Sequence, residues 1–228
     1  MQAPQPCNED EVITTASAGG PAAGCAPVRR GGKTRDRVLE VALALFNERG
    51  IERVTTAEIA ATAAINEGNL YYYFQKKEHL ALAMFELFAQ ALVSTAERKV
   101  ADPADPEAYA VYQRGWFDLM WEYRFFYRDG ATLRAMAPAV RERVQILTQH
   151  GQAAVRRVFS LMREHDFMRA TDDEMTVLID NLWIVSSYWM DYRLRGGAIS
   201  MTHDDLAWGF RQVEALAAPY ITERGRVT

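Results

Sequence analysis

Between Thr55 and Leu80 the chain reads TTAEIAATAAINEGNLYYYFQKKEHL, a stretch crowded with amides, carboxylates, phenols and ammonium groups. An amide such as Asn69 matches the donor and acceptor of an adenine edge, and a carboxylate such as Glu67 accepts from cytosine N4. Phenols at Tyr71, Tyr72 and Tyr73 donate to phosphate oxygens while their rings pack on sugars or thymine methyls. Lys76 and Lys77 follow as point charges suited to phosphate. Thr55 and Thr56 offer hydroxyl and backbone N–H groups at a helix start, where anions are favoured. Together these groups are equipped to read a DNA groove. Three consecutive helical tyrosines point about 100° apart, so they do not share a face, and Tyr73 is expected to be partly buried.

Such a set works only if short helices hold it in phase. Thr55 and Glu58 have the spacing of a capping box, which starts a helix near Thr56 that runs to about Ala63 with Ile59 and Ala60 inward. Asn66 is a competent cap for a next helix, whose Leu70 and Phe74, four apart, dock it on its support. Two short helices joined by the turn Ala63–Asn66 make a helix-turn-helix pattern. Upstream, Val38, Leu39, Ala42, Leu45 and Phe46 predict a helix over 34–49, stopped by Gly50. Downstream, Leu80, Met84, Leu87 and Ala91 form the stripe of a helix over 77–98, ended by DPADPE at 102–107.

Five more helices are expected, at 106–121, at 123–136 with Gly130 as an internal weak point, from Pro138 to Glu164, at 172–195 with Gly196 and Gly197 as its stop, and at 203–223. No convincing alternating strand and no internal repeat is visible, so the fold class is all-α. The chain divides into a tail over 1–32, expected to be disordered, a three-helix helix-turn-helix domain over 33–80 and a helical domain over 81–228.

The bulk properties narrow the function. The chain has 228 residues and a net charge of −4, yet residues 29–80 hold nine basic against seven acidic side chains, so the segment with the helix pair is the positive one. Phosphate attraction is local, and a modest basic patch facing the duplex suffices. The longest apolar runs are short and interrupted by charges, and the N-terminus has neither a basic start nor an apolar central run. A cytoplasmic protein without a membrane partner is therefore expected. Cys7 and Cys25 both fall in the tail and support no disulfide or metal site, and no cofactor is indicated. His79, His150, His165 and His203 are scattered, and no nucleophile-and-base set is visible. The alternatives to a DNA reader are a helical small-molecule-binding protein or an enzyme that does not read DNA.

The stretch from Thr34 to Leu82 resembles the N-terminal domain of the TetR family of bacterial transcriptional repressors. The resemblance is carried by ALFNERG at 44–50, TTAEIA at 55–60 and NEGNLYYYFQKKEHL at 66–80. It implies an all-helical homodimer that binds double-stranded operator DNA, with a C-terminal domain for a small-molecule effector and for dimerisation. By position it gives Thr56, Glu67, Asn69, Tyr71, Tyr72, Tyr73 and Lys77 as DNA-facing residues. Two positions depart from the family pattern. Ala57 stands where many members have a basic or polar side chain. Ala64 replaces the usual turn glycine, which should demand a right-handed or slightly altered turn.

Beyond Leu82 the resemblance thins. WFDLMWEYRFFYRD at 116–129 resembles an aromatic–arginine segment shared by a subset of the family. It has too many rings for a surface, and a cavity between it and the helix at 172–195 would suit a flat or long, largely apolar effector. Candidate wall residues are Trp116, Met120, Tyr123, Arg124, Tyr127, Arg128, His150, Asn181, Ser186 and Trp189, with Asp180 and Tyr188 as further polar points. The resemblance makes the helices at 172–195 and 203–223 the dimerisation pair, with Trp208, Phe210, Val213 and Leu216 as interface candidates. It also implies two recognition helices in successive major grooves, about 34 Å apart. An effector would favour a spacing that no longer fits, and the helix at 77–98 is the expected lever because it joins the two halves.

Overall fold

The computed structural model describes residues 30–137, 139–195 and 201–226. Cys7, Cys25, Pro138 and the Gly196–Gly197 stop lie outside the described residues, as does most of the expected tail. Ten α-helices follow one another: α1 Arg30–Arg49, α2 Thr56–Thr62, α3 Glu67–Tyr73, α4 Lys77–Glu97, α5 Pro106–Glu122, α6 Arg124–Arg128, α7 Gly130–Met136, α8 Ala139–Glu164, α9 Asp172–Arg195 and α10 His203–Ala217. Among the described residues the only β pairing is an isolated antiparallel bridge between Met168 and Ile221.

Local chemistry accounts for the first three helices. Gly50 ends α1 at φ +90, a conformation that costs glycine little. Thr55 and Glu58 close a reciprocal capping box at the start of α2, and the Asn66 side chain accepts from Asn69 N at the start of α3. Val38, Phe46, Ile51, Ile59, Leu70, Phe74 and Leu80 pack into one fully buried cluster. Ala64 corrects one expectation: it adopts φ +53 and is left-handed. The tight link between α2 and α3 fixes the backbone there, and its exposed methyl meets the ordinary penalty for a non-glycine residue in that region.

Three boundaries differ from the sequence reading. Helix α1 begins at Arg30, a turn earlier than Thr34. The helix expected over 123–136 is two, broken at Asp129, with Gly130 opening the second. The last helix stops at Ala217 because Pro219 lacks the N–H that would continue it. The chain after it becomes a strap on the α8–α9 turn. Arg169 N donates to Tyr220 O at 2.8 Å, and Thr222 N donates to Phe167 O at 3.0 Å.

Helix α4 runs from the head formed by α1–α3 into the body formed by α5–α10 and packs along α8. Among the described residues it is the one helix long and apolar enough to cross a membrane by length and composition, at a mean hydropathy of 1.3. The expectation that nothing resembled a span overlooked it. Half of that apolar stretch is buried inside the protein, and Leu87 of the expected stripe is exposed. Leu80 and Met84 join the head cluster, while Phe85, Phe88 and Leu92 join a second one with Leu119, Tyr123 and Val140.

Candidate nucleic-acid interface and effector cavity

Helix α3 is seated by Leu70 and Phe74, both buried. The opposite side carries Glu67, Asn69, Tyr71 and Tyr72, all exposed, with Tyr72 81% accessible. Tyr73 is half-buried against the head core and meets the Tyr72 ring edge-on at 5.1 Å. The Thr56 and Tyr71 hydroxyls lie 3.2 Å apart, so α2 and α3 present a joined polar surface.

Two candidates have other partners. The hydroxyl and N–H of Thr55 both donate to the Glu58 carboxylate, at 2.9 and 2.8 Å. That carboxylate is held below its ordinary pKa first by the Thr55 N–H, then by the Thr55 hydroxyl and Arg49. Thr55 is therefore a cap, and both of its donors are already engaged. Lys77 packs its ammonium over the Phe46 ring at 6.0 Å. Burial pushes its pKa down, with Glu52, Glu58 and Glu78 partly opposing. Lys76 remains exposed. A cation the sequence reading left out, Arg35 of α1, stands over the Phe74 ring at 5.4 Å, at the end of α3.

The body holds a cavity of about 620 Å³ lined mainly by α5, α8, α9 and α10, with Leu92 of α4, Tyr127 of α6 and the C-terminal strap completing it. That size suits a drug-sized ligand. Of the expected wall residues, Trp116, Met120, Tyr127 and Ser186 line it. Tyr127 has its hydroxyl pKa pushed up by burial. The other six lie elsewhere. Tyr123 is buried against Phe88, 5.5 Å between ring centres. Arg124 lies over Trp121 at 4.4 Å and donates to Trp121 O. His150 and Asn181 are exposed on the outer faces of α8 and α9, as are Asp180 and Tyr188. Trp189 is buried in a cluster with Phe117, Met120, Met190 and Val213.

Arg128 faces the head. It donates to Phe46 O at 2.5 Å and Asn47 O at 3.2 Å, and pairs with Asp129 at 2.9 Å. Asp129 in turn accepts from Ile51 N at 2.8 Å. Asn47 completes the joint: its amide donates to Glu122 O at 2.7 Å and its carbonyl accepts from Phe125 N at 3.0 Å. Phe125 and Leu133 are buried within the head's own core. Tyr127 touches the cavity and Arg128 touches α1, so one short helix spans both regions.

The sequence reading missed Tyr112, Trp183 and Ser187, which line the cavity. Tyr112 lies one turn before Trp116 on the same helical face, so extending the aromatic stripe backward would have found it. Nothing local to Asn47 announces its joint, because both partners lie more than seventy residues away.

The interface candidates on α10 mostly face their own protomer. Phe210 meets Phe117 edge-on at 4.8 Å, Val213 is buried in the cavity wall, and Leu216 packs on the Tyr109–Phe167 cluster. Helix α10 closes the cavity against α5 and α9, which uses up its apolar stripe. Trp208 differs: it stacks on Tyr192 at 6.0 Å and 10°, with Arg193 over it at 5.1 Å.

The sequence profile described as "Bacterial transcriptional repressor" matches residues 84–228, and that of "Bacterial regulatory proteins, tetR family" matches 38–84. The chain belongs to the TetR family. A TetR-family regulator from Marinobacter aquaeolei is 31% identical, with a TM-score of 0.73 over 83% of this chain and 92% of that one. The TetR fold recurs in a SmeT–triclosan complex at 18% identity and a TM-score of 0.54, covering 86% of this chain and 95% of that one. Among curated TetR relatives, the transcriptional repressor NicS of Pseudomonas putida is 31% identical over 104 residues, which is 45% of this chain and 47% of that protein. The chain spans less than half the length of the first curated relatives it matches.

Proposed function

We propose that this TetR-family protein is a ligand-responsive DNA-binding regulator, a cytoplasmic homodimeric repressor released from its operator by a small, largely apolar effector. The observation that carries the reading is the outward face of α3. A helix whose one side is fully seated leaves Glu67, Asn69, Tyr71 and Tyr72 in solvent, and exposed rings of this kind have no use in a core. Asn69 and Glu67 would read base edges, while Tyr71, Tyr72, Thr56, Lys76 and Arg35 would position the head on phosphates. Lys77 and Tyr73 would act mainly by supporting α3.

For dimerisation, α9 is the member of the expected α9–α10 pair that supports an open apolar row. Val177, Ile184, Tyr188 and Tyr192 are 59, 57, 62 and 67% exposed, at helical spacing on one side of α9. A row of that kind favours a partner helix, and the stacked Tyr192–Trp208 pair would extend it. The effector would sit in the α5–α10 cavity, as its size and aromatic wall favour. Binding there would bias α6, and through Arg128 and Asn47 the angle of the head.

The test is selection of genomic DNA fragments by the full-length protein, followed by titration of the recovered fragment at several salt concentrations. A near-palindromic site is expected, with affinity that falls steeply as salt rises. Asn69→Ala combined with Tyr72→Ala should abolish site-specific binding while the dimer persists. Undiminished affinity in that double variant would show that α3 is not the reading face.

A further inference from the structure

Two buried hydrogen-bond donors without an acceptor and one exposed guanidinium lie around the middle of α5. The Tyr112 hydroxyl and Trp116 Nε1 are buried and have no hydrogen-bond partner among the described residues. Their rings meet nearly edge-on, 6.5 Å apart, and both line the cavity. The neighbouring cation is Arg98, exposed at the end of α4. Its guanidinium lies so close to Gly115, between those two residues in sequence, that an added Cβ would stand 2.7 Å from Nη1. Any larger residue at 115 would push the guanidinium away. Among the described residues no carboxylate pairs with Arg98.

On the other side of Tyr112 lies a second recess, formed by the end of α4 and by α8. Arg98, Lys99, Arg156 and Arg157 line it against Glu97 and Glu164. Arg157 is held by donating to Ala96 O at 2.9 Å, and Arg156 donates to the Thr176 hydroxyl. Tyr112 and Val158 are the two residues common to both linings, so a phenol and an isopropyl group separate greasy cavity from basic recess. Burial raises the Tyr112 pKa, opposed first by the Trp116 indole N–H, which faces the phenol oxygen without reaching hydrogen-bond geometry, and then by Arg157 and Arg98, so the hydroxyl stays protonated at neutral pH. Among the described residues Glu214 is the sole carboxylate in the cavity wall. It belongs to α10, and Arg114 and Arg211 partly offset the burial that raises its pKa.

We infer that the effector is an amphipathic monoanion, its apolar body lying among Phe117, Met120 and Trp183 and its acidic head seated at Tyr112, Trp116 and Arg98. An unpaired buried donor is costly, and a carboxylate or sulfonate oxygen supplies the acceptor that Tyr112 and Trp116 lack while facing the Arg98 charge. Charge-assisted bonds to a guanidinium are also the stronger kind. This inference rests on reading the cavity as the effector site and adds the ligand's chemical class.

The experiment uses two fluorescent probes with one body: 1-anilinonaphthalene-8-sulfonate and the neutral N-phenyl-1-naphthylamine. Each is titrated into the full-length protein at neutral pH. The sulfonate is expected to bind at least tenfold tighter. Arg98→Gln and Tyr112→Phe should each weaken the sulfonate by about tenfold or less and leave the neutral probe within twofold. Ser186→Phe, which fills the cavity from α9, should weaken both, tying the signal to the cavity. Equal affinity for the two probes, or equal losses in the Arg98 and Tyr112 variants, overturns the anionic class while leaving the cavity reading intact. Binding of both probes undisturbed by Ser186→Phe, in a variant whose melting curve is unchanged, removes the cavity reading and this inference with it.

Discussion

Ala64 shows how a single residue departs from what its neighbours require. The α2–α3 link needs a left-handed residue, and alanine supplies it at a cost of roughly 1–2 kcal/mol that glycine avoids, less the entropy glycine loses on folding. Ala64→Gly should therefore stabilise the protein by about 1 kcal/mol and raise Tm by about 2–4 °C, read by thermal unfolding. An unchanged or lower Tm would mean that the link relaxes around alanine at no cost. Residue roles were legible where helix phase alone sets them. Leu70 and Phe74 inward, and Asn69 and Tyr72 outward, follow from a helix fixed at its start by Asn66. They were not legible where one group has two possible partners. Thr55 could cap α2 or meet phosphate, and Glu58 takes both of its donors. Lys77 could reach outward or lie on Phe46, and the core decides.

At the scale of elements, eight of the ten helices could be drawn from apolar spacing and caps, and the exception lies between α6 and α7. Residues 123–136 keep helical spacing throughout, so the sequence offers only Gly130 as a hint. The break is tertiary: Asp129 turns aside to accept from Ile51 N, and Arg128 reaches two carbonyls at the end of α1. A hydrogen bond to a segment nearly eighty residues away leaves no periodic trace. The buried Asn47 amide is the other half of that joint. Asn47→Ala leaves Glu122 O and Phe125 N unpaired, which should cost about 1–3 kcal/mol, seen as a lower denaturant midpoint. If the joint also transmits effector binding, the same variant should reduce the effector-induced loss of operator affinity. Wild-type stability in Asn47→Ala would show that water replaces the amide and that the joint is slack.

For the whole molecule, the proposed division into a reading head and a ligand-holding body follows from the sequence because the two segments use different chemistry. Polar groups crowd one short helix, and rings crowd α5. The cavity's full wall was not legible, since it draws on six helices and the C-terminal strap, and proximity among them is a property of the packed chain. Which of the two expected dimerisation helices leaves an apolar row open was not legible for a related reason. The α10 stripe is as apolar as an interface, but α5 and the inner face of α9 already cover it, whereas the outer, more broken stripe of α9 is left open. Ile184→Glu with Tyr188→Glu should convert the dimer to a monomer with near-native helical content, measured by sedimentation equilibrium and circular dichroism. A dimer that survives both charges would place the interface elsewhere.

Phe125 and Leu133 sit inside the head's core although they arrive long after the head's own sequence has ended. A chimera that exchanges only residues 33–80 with another regulator would leave Phe46 facing a foreign ring or a hole. Recombining this reader with a new sensor therefore calls for transplanting α6 and α7 along with it, so the smallest exchangeable unit is discontinuous in the gene.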